Sequence, residues 1–172
     1  MCWTARVHSD PDPYALLELA CTLVGQASDL VREGRERALA ESVGTKSTPT
    51  DVVTAMDTAA ERLVVDGLRL ARPGDAVLGE EGGERAAGPG DDQHVRWLLD
   101  PIDGTVNYLY GIPQYAVSLA AEVAGTVVAG VVRNPASGEE WTGVRGGGGW
   151  RGRPGTGTRL SGPATEIGRA HV

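Results

Sequence analysis

The sequence predicts an α+β fold in which two long N-terminal helices pack on a mostly antiparallel sheet. Apolar residues recur at helical spacing in two stretches before Pro73. Beyond that point the pattern shortens to β-branched-rich runs, and Gly, Asn and Pro at hairpin-length joints separate them. Helices first and hairpins afterwards put the helices on one face of the sheet.

The first helix is expected from residue 12 to about 39, with Leu16, Ala20, Leu23, Val24, Ala27, Leu30 and Val31 on one stripe. Pro13 suits a first turn, Asp10 or Asp12 can cap it, and Gly44 stands where a stop is expected. The second is expected from about residue 54 to 71, with Met56, Ala60, Leu63, Val64, Gly67, Leu68 and Ala71 on one face. Thr54 reads as its cap, Asp57 as an acid of its first turn, and Pro73-Gly74 as its end. Strands follow at 76–78, 95–99, 115–123, 126–132 and 139–144, with turns predicted at 122–126 and 134–138. No internal repeat is visible.

A chain of 172 residues suffices for one domain with its own core. With 41% hydrophobic and 23% charged residues it reads as globular, and no run approaches eighteen uninterrupted apolar residues, so no membrane partner is expected. No basic stretch leads into an apolar segment at the start, which makes the cytoplasm the expected location. A net charge of -7 argues against a surface built for nucleic acid. Cys2 and Cys21 read as a terminal thiol and a core thiol rather than a disulfide framework.

Three stretches could carry chemistry. In Trp97-Leu98-Leu99-Asp100-Pro101-Ile102-Asp103-Gly104-Thr105-Val106-Asn107, an apolar strand ends in one carboxylate and a second follows three residues later. Either Asp103 caps a short helix beginning at Gly104, or Asp100 and Asp103 converge on hard divalent cations while the amides of Gly104 and Thr105 face a phosphate. Leu78-Gly79-Glu80-Glu81-Gly82-Gly83 is either a solvated acidic turn or a second ligand-bearing strand end. The third runs from Lys46, the sole lysine, through Ser47, Pro49 and Asp51 to Asp57. Gly44-Thr45-Lys46-Ser47 is close to a P-loop but lacks its Gly-Lys adjacency and upstream glycine, so that reading is rejected.

Taken together, Lys-Ser-x-Pro-x-Asp-x-Val-Thr-x-x-Asp, then Gly-Glu-Glu, then Trp-x-x-Asp-Pro-Ile-Asp-Gly-Thr-x-Asn resemble the inositol monophosphatase family of magnesium-dependent phosphatases. The resemblance runs from about Leu16 to Gly162 and includes residues 111–119 and 132–135 with Glu139-Glu140. Asn107-Tyr108-Leu109-Tyr110-Gly111 looks most like actinobacterial members. It implies the first half of a layered α/β/α/β/α sugar-phosphatase fold. It also implies a first Mg2+ held by Glu80, Asp100 and the carbonyl of Ile102, with Asp100 bridging to a second that Asp103 binds. Asp57 and Thr105 would be catalytic, orienting the attacking water. Glu80, Asp103, Gly104, Thr105 and the amide of Val106 would contact the phosphate, with Lys46 and Glu81 in the surrounding polar shell. Where many members carry Thr and Ser, this chain has Val106 and Gly82. The phosphate needs only the backbone at 106, so Val is expected to be tolerated.

Residues 1–165 are therefore expected to form an N-terminal metal- and phosphate-binding domain. The resemblance implies a further α/β domain whose Trp-Asp motif completes the second metal site, and nothing in this sequence corresponds to it. Residues 166–172 are expected to be an artificial tail, because Ile167-Gly168-Arg169-Ala170-His171-Val172 is the translation of a common sequencing-adapter run. His171 is then no ligand, and His8 and His94 are expected in solvent. The implied activity is hydrolysis of a small phosphorylated polyol, inositol monophosphate foremost, by metal-activated water in a homodimeric parent protein. Histidinol phosphate, fructose bisphosphate and 3′-phosphonucleotides are the alternative substrates. An inactive cation-binding module is the alternative of another class.

Overall fold

The structure, a computed structural model, describes residues 11–41, 49–79, 83–85 and 95–162. Cys2, His8, Asp10, Gly44, Lys46, Glu80, Glu81, Gly82, His94 and His171 lie outside the described residues, and with them the expectations attached to those positions. Helix α1 spans Pro13–Glu41. Its first free amides are capped as expected, the Asp12 carboxylate accepting from the amide of Tyr14 at 3.0 Å. The stretch Pro13–Arg37 is apolar enough by length and composition to cross a membrane. Here its stripe of Leu16, Leu17, Ala20, Cys21, Val24, Ala27 and Val31 is buried against the rest of the fold, as in the core helix of a globular domain.

Helix α2 spans Pro49–Ala71, so it begins five residues ahead of the expected start. Pro49 takes the first helical position, where its missing N–H costs nothing and its fixed φ suits the helix. Thr54 is therefore not a cap, and Asp57 is not in the first turn but inside the helix. Asp57 is only 5% exposed.

The sheet contains β1 (Ala76–Gly79), β2 (Gly83–Arg85), β3 (Val95–Asp103), β4 (Ala116–Val123), β5 (Thr126–Arg133), β6 (Glu140–Val144), β7 (Gly148–Arg151) and β8 (Thr158–Arg159). Their spatial order is β2-β1-β3-β4-β5-β6-β7-β8. Every pairing is antiparallel except β1 with β3, which is parallel. The expected helices on a mostly antiparallel sheet are thus found, with three short strands added at the two edges. The predicted joint at 122–126 is a tight hairpin with positive φ at both Ala124 and Gly125, the turn that follows the twist of paired strands. At 134–138, the Asn134 side-chain oxygen accepts from the amides of Ala136 and Ser137 at 2.8 and 3.0 Å.

Helix α1 lies across β4, β5 and β6 and beside α2, while α2 packs on β3. Alternation along the strands turns Val95, Trp97 and Leu99 of β3 and Val117, Leu119 and Ala121 of β4 toward the helices. Trp97 is fully buried, and its ring N–H donates to Asp75 at 2.8 Å. At the far end, Glu140 is 9% exposed and lies between Arg133 and Arg153 at 3.4 and 2.9 Å. Arg153 also donates to the carbonyl of Cys21 at 3.5 Å, which ties the outer hairpins to α1.

Burial pushes the Cys21 thiol up to about 11 and the Tyr108 phenol up to about 12, from ordinary values of 9.0 and 10.0. Both groups keep their protons longer folded than unfolded, so their contribution is complete below pH 9 and is lost as pH rises through the two raised values. Denaturant midpoints measured from pH 7 to 12 should therefore stay level to about pH 9 and fall beyond it. Cys21→Ala should make the fall shallower between pH 9 and 11.

Candidate functional site

The site is built at the end of β3, where the sheet ladder changes register. Asp100 pairs with Ser118, but Asp103 pairs with Ala116. Three steps along β3 match two steps along β4, so β3 carries one extra residue there. Ser118 and Ala116 are two apart and share a face of the sheet, and the extra residue brings Asp100 and Asp103 onto that face too. It is the face away from the helices. Between the two acids, Pro101 and Ile102 are buried, Ile102 at 1% exposure, which anchors the backbone whose carbonyl lies between the carboxylates in sequence.

The chain then turns sharply. Gly104 sits in the left-handed region at φ 84 and ψ 41, and helix α3 (Thr105–Tyr110) begins at the next residue. No side-chain hydrogen bond caps α3, so Asp103 does not perform the capping role that was its simplest alternative. Asp103 is instead exposed. A Cβ at position 104 would meet the carbonyl oxygen of Gln114 at 3.0 Å, so only glycine fits both the φ and the space. Thr105 is half-buried, while the side chain of Val106 is 65% exposed.

A six-residue helix cannot hold itself, and its surroundings hold it. The Tyr108 ring is buried, stands edge-on to Tyr115 at 5.1 Å, and donates its hydroxyl to the carbonyl of Val31 at 3.1 Å. Arg35 of α1 donates to the carbonyl of Tyr108 and lies over its ring, 5.6 Å from the centroid. That places a cation at the electron-rich end of α3. Asn107 donates to the carbonyl of Gln114 at 2.6 Å, and Asn134 to that of Pro113 at 3.0 Å, closing the loop that returns from α3 to β4.

From the helical side, α2 packs on both β3 and α3 and carries Asp57 on its buried face. One carboxylate oxygen each of Asp57, Glu61 and Asp100 is shielded from solvent. Glu61 was not singled out in the sequence. It stands one turn beyond Asp57, is 5% exposed, and its carboxylate lies where a side chain on Gly79 would be. The available signal was its place beside the apolar stripe of Ala60, Val64 and Leu68, where an acid is out of keeping. Among the described residues no three His, Cys, Asp or Glu side chains gather as a metal cage. The acids that the β3 end carries, Asp100 and Asp103, offer hard carboxylate oxygens. Carboxylate oxygens of this kind suit hard divalent cations rather than soft metals.

Residues 12–164 match the model of the inositol monophosphatase family. The chain belongs to that family. It is 47% identical over 142 residues to an inositol-1-monophosphatase of Mycobacterium leprae, covering 75% of this chain and 47% of the relative. The solved structure of Mycobacterium tuberculosis SuhB is similar at a TM-score of 0.67 and 40% identity, over 82% of this chain and 49% of that one. Inositol monophosphate-bound SaIMPase-II is similar at a TM-score of 0.64 and 25% identity, over 84% and 48%. The chain thus spans about half the length of the curated relatives it matches. Inositol monophosphatase family members are generally metal-dependent.

The Gly104 turn yields a direct test. Gly104→Ala forces a Cβ into the left-handed region and against the Gln114 carbonyl. It should lower unfolding free energy by about 1–2 kcal/mol or more in urea titrations. Asn107→Ala, which removes one clamp of the same loop, should cost about 1 kcal/mol.

Proposed function

We propose that the chain is the metal- and phosphate-binding part of a magnesium-dependent phosphomonoesterase that hydrolyses inositol monophosphate. The observation that carries the reading is the extra residue in β3, which sets Asp100 and Asp103 on one face directly before the Gly104 turn. Family membership supports it for the activity class, and names of relatives support it for the substrate. Magnesium, when bound, supplies positive charge that acidifies a water and neutralises the leaving oxygen.

The chain's own residues would divide the remaining work. Glu80, Asp100 and the Ile102 carbonyl hold one cation, and Asp100 and Asp103 hold a second. Buried Asp57 accepts a hydrogen bond from the attacking water, and the Thr105 hydroxyl fixes the water's second direction. The amides of Gly104, Thr105 and Val106 donate to the phosphate oxygens, the first amides of a helix having no partner within it. Only the backbone of Val106 is used, in keeping with a side chain that points to solvent. Glu80 and Asp103 also border the phosphate, with Lys46 and Glu81 in the polar surround. A second domain bearing a Trp-Asp aspartate completes the second cation site, the intact protein is a cytoplasmic homodimer, and residues 166–172 take no part.

The test is hydrolysis of inositol 1-phosphate by the 172-residue protein beside a version extended to the length of its relatives, each with Mg2+ and with EDTA. The extended protein should turn over only with Mg2+, and Asp100→Asn should lower kcat on the order of 100-fold or more. Mg2+ binding without turnover in either version would favour a silent cation-binding module. Faster turnover of histidinol phosphate, fructose bisphosphate or a 3′-phosphonucleotide would reassign the substrate.

A further inference from the structure

Among the described residues, the helices cover one face of the sheet and leave the other open. Alternation puts Leu98 of β3, Ala120 of β4, Gly130 of β5, Gly143 of β6 and Gly149 of β7 on that open face, and the register sets them side by side in one row. Four of the five are Gly or Ala, so the row is a shallow furrow with its one bulky end at Leu98. The adjacent row holds Asp100, Ser118, Val132, Trp141 and Arg151 in the same strand order. Val132 is 41% exposed, and the Arg151 side chain 62%. Leu160, half exposed, borders the furrow beside Gly149.

Charge divides this face about β5. Arg96 and Glu122 answer each other at 3.0 Å, which leaves the acids Asp100 and Asp103 at β3 and the exposed cations Arg145 and Arg151 beyond β5, at the end of β6 and on β7. Arg151 also meets Glu139, with both side chains exposed. Such a face is complementary to itself. A two-fold axis in the contact plane and parallel to β5 lays β3 of one copy over β7 of the other, and β4 over β6, as in an aligned sandwich. Leu98 then meets Gly149 and Leu160 of the second copy, Ala120 meets Gly143, Gly130 meets its own equivalent, and Asp100 meets Arg151. We propose that two copies of this 172-residue chain pair through the open face of the sheet, about an axis along β5. Five strands about 4.8 Å apart give a footprint of only a few hundred Å2 per copy, below the roughly 800 Å2 of a standard interface, so pairing sets in on the order of tens of micromolar.

The experiment is sedimentation velocity on the 172-residue protein from about 5 to 500 µM, at about 0.05 and 0.5 M NaCl, with thermal melting as the control for folding. The mass should climb from one chain to two and stop there, and salt should weaken the pair. Gly130→Glu sets two carboxylates against each other on the axis, while its Cβ meets nothing nearer than 3.6 Å within its own chain. It should raise the dissociation constant about ten-fold or more. Arg151→Glu should weaken the pair likewise. Adding Asp100→Lys to Arg151→Glu exchanges the two charges and should return the constant to within about three-fold of the parent.

A chain that stays monomeric throughout would leave the face to another occupant, such as further polypeptide in a longer chain, and would overturn the proposal. So would a mass that rises past two chains without a plateau, since a two-fold contact closes on itself. Folded Gly130→Glu that pairs as the parent does places the contact elsewhere and sinks the proposal too. The same holds if Arg151→Glu weakens the pair and the folded double variant restores none of it. If the double variant does not fold, Gly130→Glu alone decides. Pairing is read without substrate or metal, so its failure leaves the proposed activity standing, and a protein that pairs but hydrolyses nothing keeps this proposal and loses that one.

Discussion

The extra residue in β3 between Asp100 and Asp103 is the constraint on which the site depends. Strict alternation would send two acids three residues apart to opposite faces of the sheet, one into the helical core and one away from it. The bulge puts both on the open face. It also turns Pro101 and Ile102 inward, so apolar burial pays for the irregularity. The chain leaves this bulge already aimed at the Gly104 turn, and α3 begins where that turn ends. A ladder without the extra residue would put the two acids on opposite faces of the sheet.

The helices supply what the sheet cannot. Asp57 and Glu61 are buried on α2, which rests on β3 and α3, and the Glu61 carboxylate lies against Gly79 at the end of β1. The loop after Gly104 is held from three directions: by Arg35 on α1, by the Tyr108–Tyr115 pair, and by Asn134 from the neighbouring hairpin. These contacts are individually modest. Each crosses between elements distant in sequence, so together they give a short helix one position relative to the carboxylates before it.

Much of this was legible in the residues because it is local. The α1 stripe, the central strands and the hairpin joints follow from periodicity and turn chemistry, and Asp100 to Thr105 lie in one continuous segment. The early start of α2 was hidden because Ser-Thr-Pro-Thr reads as a loop until the proline is placed at the first helical position. Strand β7 was hidden because Gly148 and Gly149 carry no β-branched pattern, and β2 and β8 because strands of two or three residues have no period to read. The same-face placement of the two acids could not be read at all. It depends on which residues of β4 lie opposite, a fact of register and not of composition. Glu61 escaped notice because a charged residue on a helix normally marks its solvent side.

Helix α1 has a consequence for how the chain is made. It is synthesised ahead of β4, β5 and β6, which cover its apolar stripe and begin only at Ala116. At about 5–20 residues per second, synthesis leaves that stripe without its sheet for several seconds. During that interval the nascent chain displays a segment apolar enough to pass for a membrane span. For that interval the nascent chain exposes a face that the folded structure covers with its sheet.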